Sequence, residues 1–333
     1  MSAESWQVVV GLLEVQSGVV SRRQVLEAGL RDHDVRRLLR RREWAAVHPG
    51  VYVNHTGPPT GRQRAWAAVL AVGPAALCHR SAIEAGSGKP PGPGPIHVAV
   101  DRDRAVRAPE GVVLHRLADW ESKMLLNTSP PRQRLEEAAL DVAATAVREL
   151  DVVATLADVV GSRRTTAKRL RSALDARARI PRRALLESLL DDVASGTCST
   201  LEHAYLSRVE RPHGLPSARR QVHDSIKGSV FRDVEYEDFL FVVELDGRIG
   251  HTSTSDRDRD LDRDLDAAVV REKLTARLGW GQVFDRPCAT AGKVATLLAR
   301  RGWAGEITDC PDCSAQQGGG SLAPGESDPP LSA

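Results

Sequence analysis

The segment that most constrains the fold is Phe239-Leu-Phe-Val-Val-Glu-Leu-Asp-Gly247, an apolar run that delivers two carboxylates, Glu244 and Asp246, just before a glycine. It is short and rich in β-branched and aromatic residues in a chain with only 4 Phe. The acidic pair Glu237-Asp238 precedes it and Gly247 ends it, so it reads as a buried strand. Burying an ionised carboxylate without a partner costs several kcal/mol or forces a pKa shift. Two acids on one such strand therefore call for a cation, a metal or a raised pKa.

Val230-Phe-Arg-Asp-Val-Glu-Tyr236 reads as the neighbouring strand. With Glu237-Asp238 as a two-residue connection, a hairpin sets Asp233 opposite Val242 and diagonal to Glu244. Residues two apart share a face, so Asp233, Glu244 and Asp246 project together while Tyr236, Phe239, Phe241, Val243 and Leu245 form the core side. Diagonal neighbours lie about 7–8 Å apart, close enough for carboxylates to converge on one ion. Oxygen ligands favour Mg²⁺ or Mn²⁺.

At 333 residues the chain predicts two domains and a tail. Its 46 basic and 44 acidic residues nearly balance, so net charge decides nothing about a nucleic-acid partner. Only six of the basic residues are Lys, and the arginine excess suits phosphate binding or reflects coding bias. Cys78, Cys198, Cys288, Cys310 and Cys313 show no disulfide-framework spacing, and no window approaches about 18 apolar residues, so neither a signal peptide nor a membrane span is expected. The expectation is a reducing compartment, the cytoplasm, with no membrane association.

Toward the N-terminus, Trp6, Val9, Val10 and Leu13 suit one helix, and Ser21 is the expected N-cap of a second carrying Val25, Leu26 and Leu30. A third, from Arg31 to Arg42, sets Val35, Leu38 and Leu39 on one face against Arg36, Arg37, Arg40, Arg41 and Arg42. Trp44 to Val53 reads as two short strands bent at Pro49-Gly50. Three helices and a small hairpin form a winged helix-turn-helix pattern, placed at residues 1–55. Residues 20–43 hold eight Arg against four acids. Arg22, Arg23, Arg36, Arg37, Arg40, Arg41 and Arg42 are the candidate DNA contacts, the other reading being a solvated basic helix. Ser21-Arg-Arg-Gln-Val-Leu, Ala28-Gly-Leu and Val47-His-Pro-Gly-Val-Tyr-Val53 resemble the N-terminal winged helix of the AbiEi-type antitoxin family. That resemblance implies a DNA-binding autoregulator of a toxin–antitoxin operon.

Residues 56–194 form an expected α+β and helical middle region. Residues 61–85 read as helical, and Cys78-His79 within them has two readings, a metal pair or a packed Cys beside a partly exposed His. The second is favoured, because adjacent helical residues point about 100° apart and no second pair lies at ligand spacing. Ile96–Val100 and Val112–His115 alternate like strands, and the chain turns helical from Pro131 to about Ala194. Arg163, Arg164, Lys168, Arg169 and Arg171 read as a solvated face.

A further domain is placed at 195–303. Glu202 has two readings: partner of Ser199 in a capping box, or a carboxylate joined to a metal site. An acid, a ten-residue interval and then acid-x-third residue ending an apolar strand is similar to the PD-(D/E)xK nuclease superfamily. Arg232-Asp233, Val243-Glu-Leu-Asp-Gly247, His251, the charged segment with Arg259 and Asp260, and Leu278-Gly-Trp280 resemble a family of unknown function related to very-short-patch-repair (Vsr) endonucleases. The resemblance implies a restriction-endonuclease-like mixed sheet flanked by helices, metal ligation by Asp233 and Glu244, and a catalytic neighbourhood of Glu202, Asp233, Glu244, Asp246 and His251. Asp246 departs from the pattern, standing where the superfamily has a lysine, so His251, Arg232 or a second metal would have to serve. His251 reads equally as a polar loop residue.

Ser255 to Asp266 alternates acid and Arg and reads as a solvated helix, which leaves phosphate contact in this domain to Arg208, Arg211, Arg219 and Arg220. Cys310-Pro-Asp-Cys313, a lone pair, supplies only two metal ligands, and with Gly318–Gly320 and prolines after it residues 304–333 are expected to be a disordered tail. The expected fold class is α+β / α/β. Three functions follow: a Mg²⁺-dependent DNA endonuclease, a non-catalytic DNA-binding regulator with a degenerate nuclease domain, and an antitoxin whose partner is a cognate toxin.

Overall fold

A computed structural model of the chain describes residues 2–88, 91–195, 199–224, 230–246, 274–311 and 313; the side chains of 195, 199, 220–224 and 230–233 are not described. Among the described residues the fold is α+β, with helices and mixed sheets and no closed barrel. Two compact units are present: residues 1–146 with 162–183, and 147–161 with 184–333.

The first unit opens with α1 (Ala3–Val15), β1 (Val19–Ser21), α2 (Arg22–Glu27), α3 (Asp32–Arg40), β2 (Ala45–His48) and β3 (Val51–Val53). Pro49 and Gly50, the latter at φ +72°, make the turn between β2 and β3. The three strands pair antiparallel in the order β1-β3-β2, and with the three helices they form a winged-helix arrangement. Strand alternation divides the apolar residues between two cores. Val20 and Tyr52 join Val9, Val25, Val35, Leu38 and Trp44 under the helices, whereas Val19, Val51 and Val53 pack on Trp66 and Ala67. The latter two belong to α4 (Gly61–Val72), whose Gln63 also donates to the Ser17 carbonyl at 3.0 Å. The winged helix thus runs on beyond residue 55 into the rest of its unit.

The expected helix over 61–85 is two helices separated by a short strand. Gly73-Pro74 ends α4, since proline disfavours helical backbone in the residue before it, and β4 (Ala76–Leu77) and α5 (His79–Gly86) follow. Next come β5 (Ile96–Asp101), β6 (Val112–Leu117), α6 (Trp120–Lys123), β7 (Met124–Leu125) and β8 (Arg132–Gln133). The five strands form one mixed sheet, ordered β6-β5-β4-β8-β7. Then follow α7 (Leu135–Thr145), α8 (Glu149–Gly161) and α9 (Ala167–Asp175), of which α8 belongs to the second unit.

The second unit adds α10 (Arg183–Ser195, in this unit from Ala184), α11 (Ser199–Tyr205), β9 (Arg219–Asp224), β10 (Val230–Tyr236), β11 (Phe241–Asp246), β12 (Leu274–Gly279) and α12 (Pro287–Ala299). It begins well before residue 195. α8 buries Val152, Val153, Leu156 and Val159, and α10 buries Leu186, Leu189 and Leu190. The sheet order is β12-β11-β10-β9, antiparallel except for the β11–β12 pair. The predicted segment Ser255–Asp266 lies outside the described residues.

Candidate functional site

In α3, Asp34 shapes the helix start. Its Oδ2 accepts from the Arg31 backbone N–H at 3.1 Å, and that bond holds the buried carboxyl below the usual range. Val35 and Leu38 face the core while Arg36, Arg40, Arg41 and Arg42 are exposed. Ser21 caps α2: its Oγ accepts from Gln24 N–H at 3.2 Å, and its own N–H donates to Gln24 Oε1 at 3.0 Å.

The basic residues divide by partner. Arg22 grips Asp32 through two bonds of 2.8 and 2.6 Å, which ties the start of α2 to the start of α3. Arg23 lies 3.8 Å from Glu27, Arg37 3.5 Å from Asp34, and Arg41 3.8 Å from Glu43. Arg36, Arg40 and Arg42 form no salt bridge among the described residues. Arg208 and Arg219 are engaged by Glu149 and Glu237 respectively.

The hairpin register differs from expectation by two residues. Val234 faces Val243, Glu235 faces Val242 and Tyr236 faces Phe241. The connection is a four-residue turn, Glu237–Leu240, closed by Leu240 in the left-handed region at φ +48°. Phe239 accordingly sits in the turn, half-buried, instead of on the strand's core face. A shift of two conserves parity. Continuing the register by one residue sets Asp233 of β10 directly across from Glu244, with Asp246 two positions on. Asp233 is described here by its backbone alone, and His251 lies outside the described residues.

Along this face of β11 the cover thins. Val242 is fully buried, Glu244 is half-buried and Asp246 is exposed, so the carboxylates reach solvent at the strand's C-terminal end. The parallel partner β12 sets Arg277 beside Glu244, with its Nη2 3.2 Å from Glu244 Oε2. Sequence reading missed this cation, because nothing local pairs residues 33 apart. It also missed Glu235, 2% exposed and of the same strand parity as Asp233. The oxygen donors of Glu244 and Asp246 suit a hard divalent ion, and Arg277 is the cation such an ion would compete with.

Glu202 sits half-buried on α11. That helix is held by Asp192 of α10, whose Oδ2 accepts from Thr200 N–H at 2.8 Å. It is seated on the sheet by Tyr205, whose hydroxyl is 2.9 Å from that of Tyr236. Tyr236 belongs to the face of Phe241 and Val243, opposite the face of Glu244.

Two further clusters form where the sequence favoured a packed Cys–His pair and a disordered tail. Residues 304–311 and 313, expected in a disordered tail, are ordered: Thr308 N–H donates to the His213 carbonyl at 3.0 Å, and Cys310 is buried. His213, Cys288, Cys310 and Cys313 bring one ligand atom each to within 4.8 Å of one another. Burial and the neighbouring sulfurs push the Cys288 thiol up to about 12. In the first unit, Cys78, His79 and His115 also converge, at the junction where helix was expected. Both Cys78 and His79 are buried, His79 at φ +48°. His79 and His115 stack with ring centres 3.8 Å apart, and His97 Nδ1 lies 3.0 Å from His115 Nε2. That contact engages one nitrogen of His115, while His79 Nδ1 is buried without a hydrogen-bond partner among the described residues. Burial lowers the pKa of all three imidazoles, that of His115 to about 4.

No family model and no curated protein matches the chain. Among solved structures it is similar to the RV2827C protein from Mycobacterium tuberculosis, at 22% identity and a TM-score of 0.34, over 57% of this chain and 77% of that one. No helix among the described residues is long and apolar enough to cross a membrane.

Proposed function

We propose that this is a DNA-binding protein whose winged helix grips duplex DNA through α3 and whose second unit carries a metal-dependent endonuclease site. The observation that carries the reading is the juxtaposition of Asp233 and Glu244 across one strand pair, with Asp246 at the solvent-exposed strand end. Asp233 and Glu244 would hold Mg²⁺ or Mn²⁺. When bound, the ion supplies an activated water and stabilises charge on the phosphate. Arg277 takes the part of the missing lysine in balancing charge. Its guanidinium stays protonated, so it orients and stabilises without acting as a base. The test is nicking of supercoiled plasmid by the purified full chain. Mg²⁺-dependent nicking that falls at least 100-fold in Asp233→Ala supports the reading; a chain inactive across divalent metals, or activity that survives the substitution, sinks it.

The Arg277–Glu244 pair favours a second reading, a non-catalytic regulator or antitoxin in which an internal cation fills the metal's place. In that case operator binding is metal-free and indifferent to Glu244→Ala, which footprinting in chelator resolves. Capture of a cognate toxin by the chain would mark the antitoxin form of this reading.

A further inference from the structure

The four residues His213, Cys288, Cys310 and Cys313 come from three separate stretches of the second unit: the turn after Glu210, the N-terminus of α12, and the C-terminal segment. We propose that they form a structural zinc site of the Cys₃His type, unrelated to the carboxylate site. The spacing of the ligand atoms is the first argument. Cys288 Sγ and Cys310 Sγ lie 3.5 Å apart, Cys310 Sγ and Cys313 Sγ 3.7 Å, and Cys313 Sγ and His213 Nε2 3.6 Å. Tetrahedral zinc with Zn–S near 2.3 Å and Zn–N near 2.0–2.1 Å needs S···S edges of about 3.8 Å and S···N edges of about 3.6 Å. A disulfide would need about 2.05 Å between sulfurs.

The imidazole is the second argument. His213 is 1% exposed, and its Nδ1 lies 2.9 Å from the Val209 carbonyl. Nδ1–H therefore donates to that carbonyl, which leaves the Nε2 lone pair turned toward the sulfurs, as the outer shell of a zinc-bound histidine requires. The third is how the C-terminal segment is held. Thr308 bonds the His213 carbonyl through its N–H and the Pro212 carbonyl through Oγ1, at 3.0 and 3.2 Å, so Cys310 and Cys313 are delivered to a fixed histidine. Four protein ligands close the coordination sphere and leave no position for substrate, which makes the site structural. Soft sulfur donors select zinc over the hard ions suited to Glu244 and Asp246.

Metal analysis of the purified full chain tests the assignment. One zinc per chain is expected, and cobalt replacement should give the intense visible bands of tetrahedral thiolate coordination. Cys313→Ser should lower zinc affinity by more than about 100-fold, since loss of an outer-shell partner alone costs about 10–100-fold. Cys78→Ser should retain the metal. If Cys313→Ser fails to fold, cobalt titration of the unaltered chain still reads the site. Substoichiometric zinc after growth with added zinc, an octahedral cobalt spectrum, or a disulfide among Cys288, Cys310 and Cys313 in freshly isolated protein would each overturn it.

Discussion

Residue identity already contained the parity of the acidic site. Asp233, Glu244 and Asp246 hold positions of one strand parity under either hairpin register, because a slip of two residues leaves parity unchanged. The partners of those acids were not legible. Arg277 reaches Glu244 only through a parallel pairing, and Asp192 caps α11 from another helix. His213, Cys288 and the Cys310–Cys313 pair lie as much as 100 residues apart in the chain. The histidine stack was hidden by the helix assigned across Gly73-Pro74. It carries a prediction about pH. His115 titrates near 4 in the folded chain because burial, followed by the neighbouring His79 and His97, disfavours its charged form, against an ordinary 6.5. The unfolded chain therefore binds a proton between about 6.5 and 4 that the folded chain refuses, and stability falls as pH drops through that window. Thermal denaturation at stepped pH should show the decline, and His115→Gln should flatten it; an unchanged slope in the variant would assign the effect elsewhere.

Among the elements, those with strong local punctuation were the readable ones. Ser21-x-x-Gln24 announced the start of α2, and Pro49-Gly50 the wing turn. Ser21→Ala removes a buried hydroxyl that satisfies a helix N–H, and should destabilise the first unit by about 1 kcal/mol. Urea denaturation measures this; a loss below a few tenths of a kcal/mol would mean that Gln24 alone sustains the cap. The hairpin turn was misread for a physical reason. Its left-handed position is taken by Leu240, a residue that carries no turn signal, so Glu237-Asp238 looked like the whole connection.

On the scale of the whole molecule, the sequence suggested domains in succession, and the structure interleaves them. α8 leaves the first unit for the second, after which the chain returns to supply α9 and departs again at Ala184. No composition shift marks these crossings, since a helix burying Val152, Leu156 and Val159 looks alike wherever its core lies. The winged helix likewise lacks a boundary at residue 55, because Val19, Val51 and Val53 need Trp66 to cover them. The claim on which both functional readings rest is that DNA is the ligand and α3 the grip. The direct test is binding of duplex DNA by the full chain across a salt series, beside Arg36→Ala/Arg40→Ala. Steep salt dependence, with a log–log slope about 2 units shallower in the double variant, is the predicted result, since each phosphate contact contributes about 0.9. Absence of binding at low salt, or an identical slope in the variant, would contradict it.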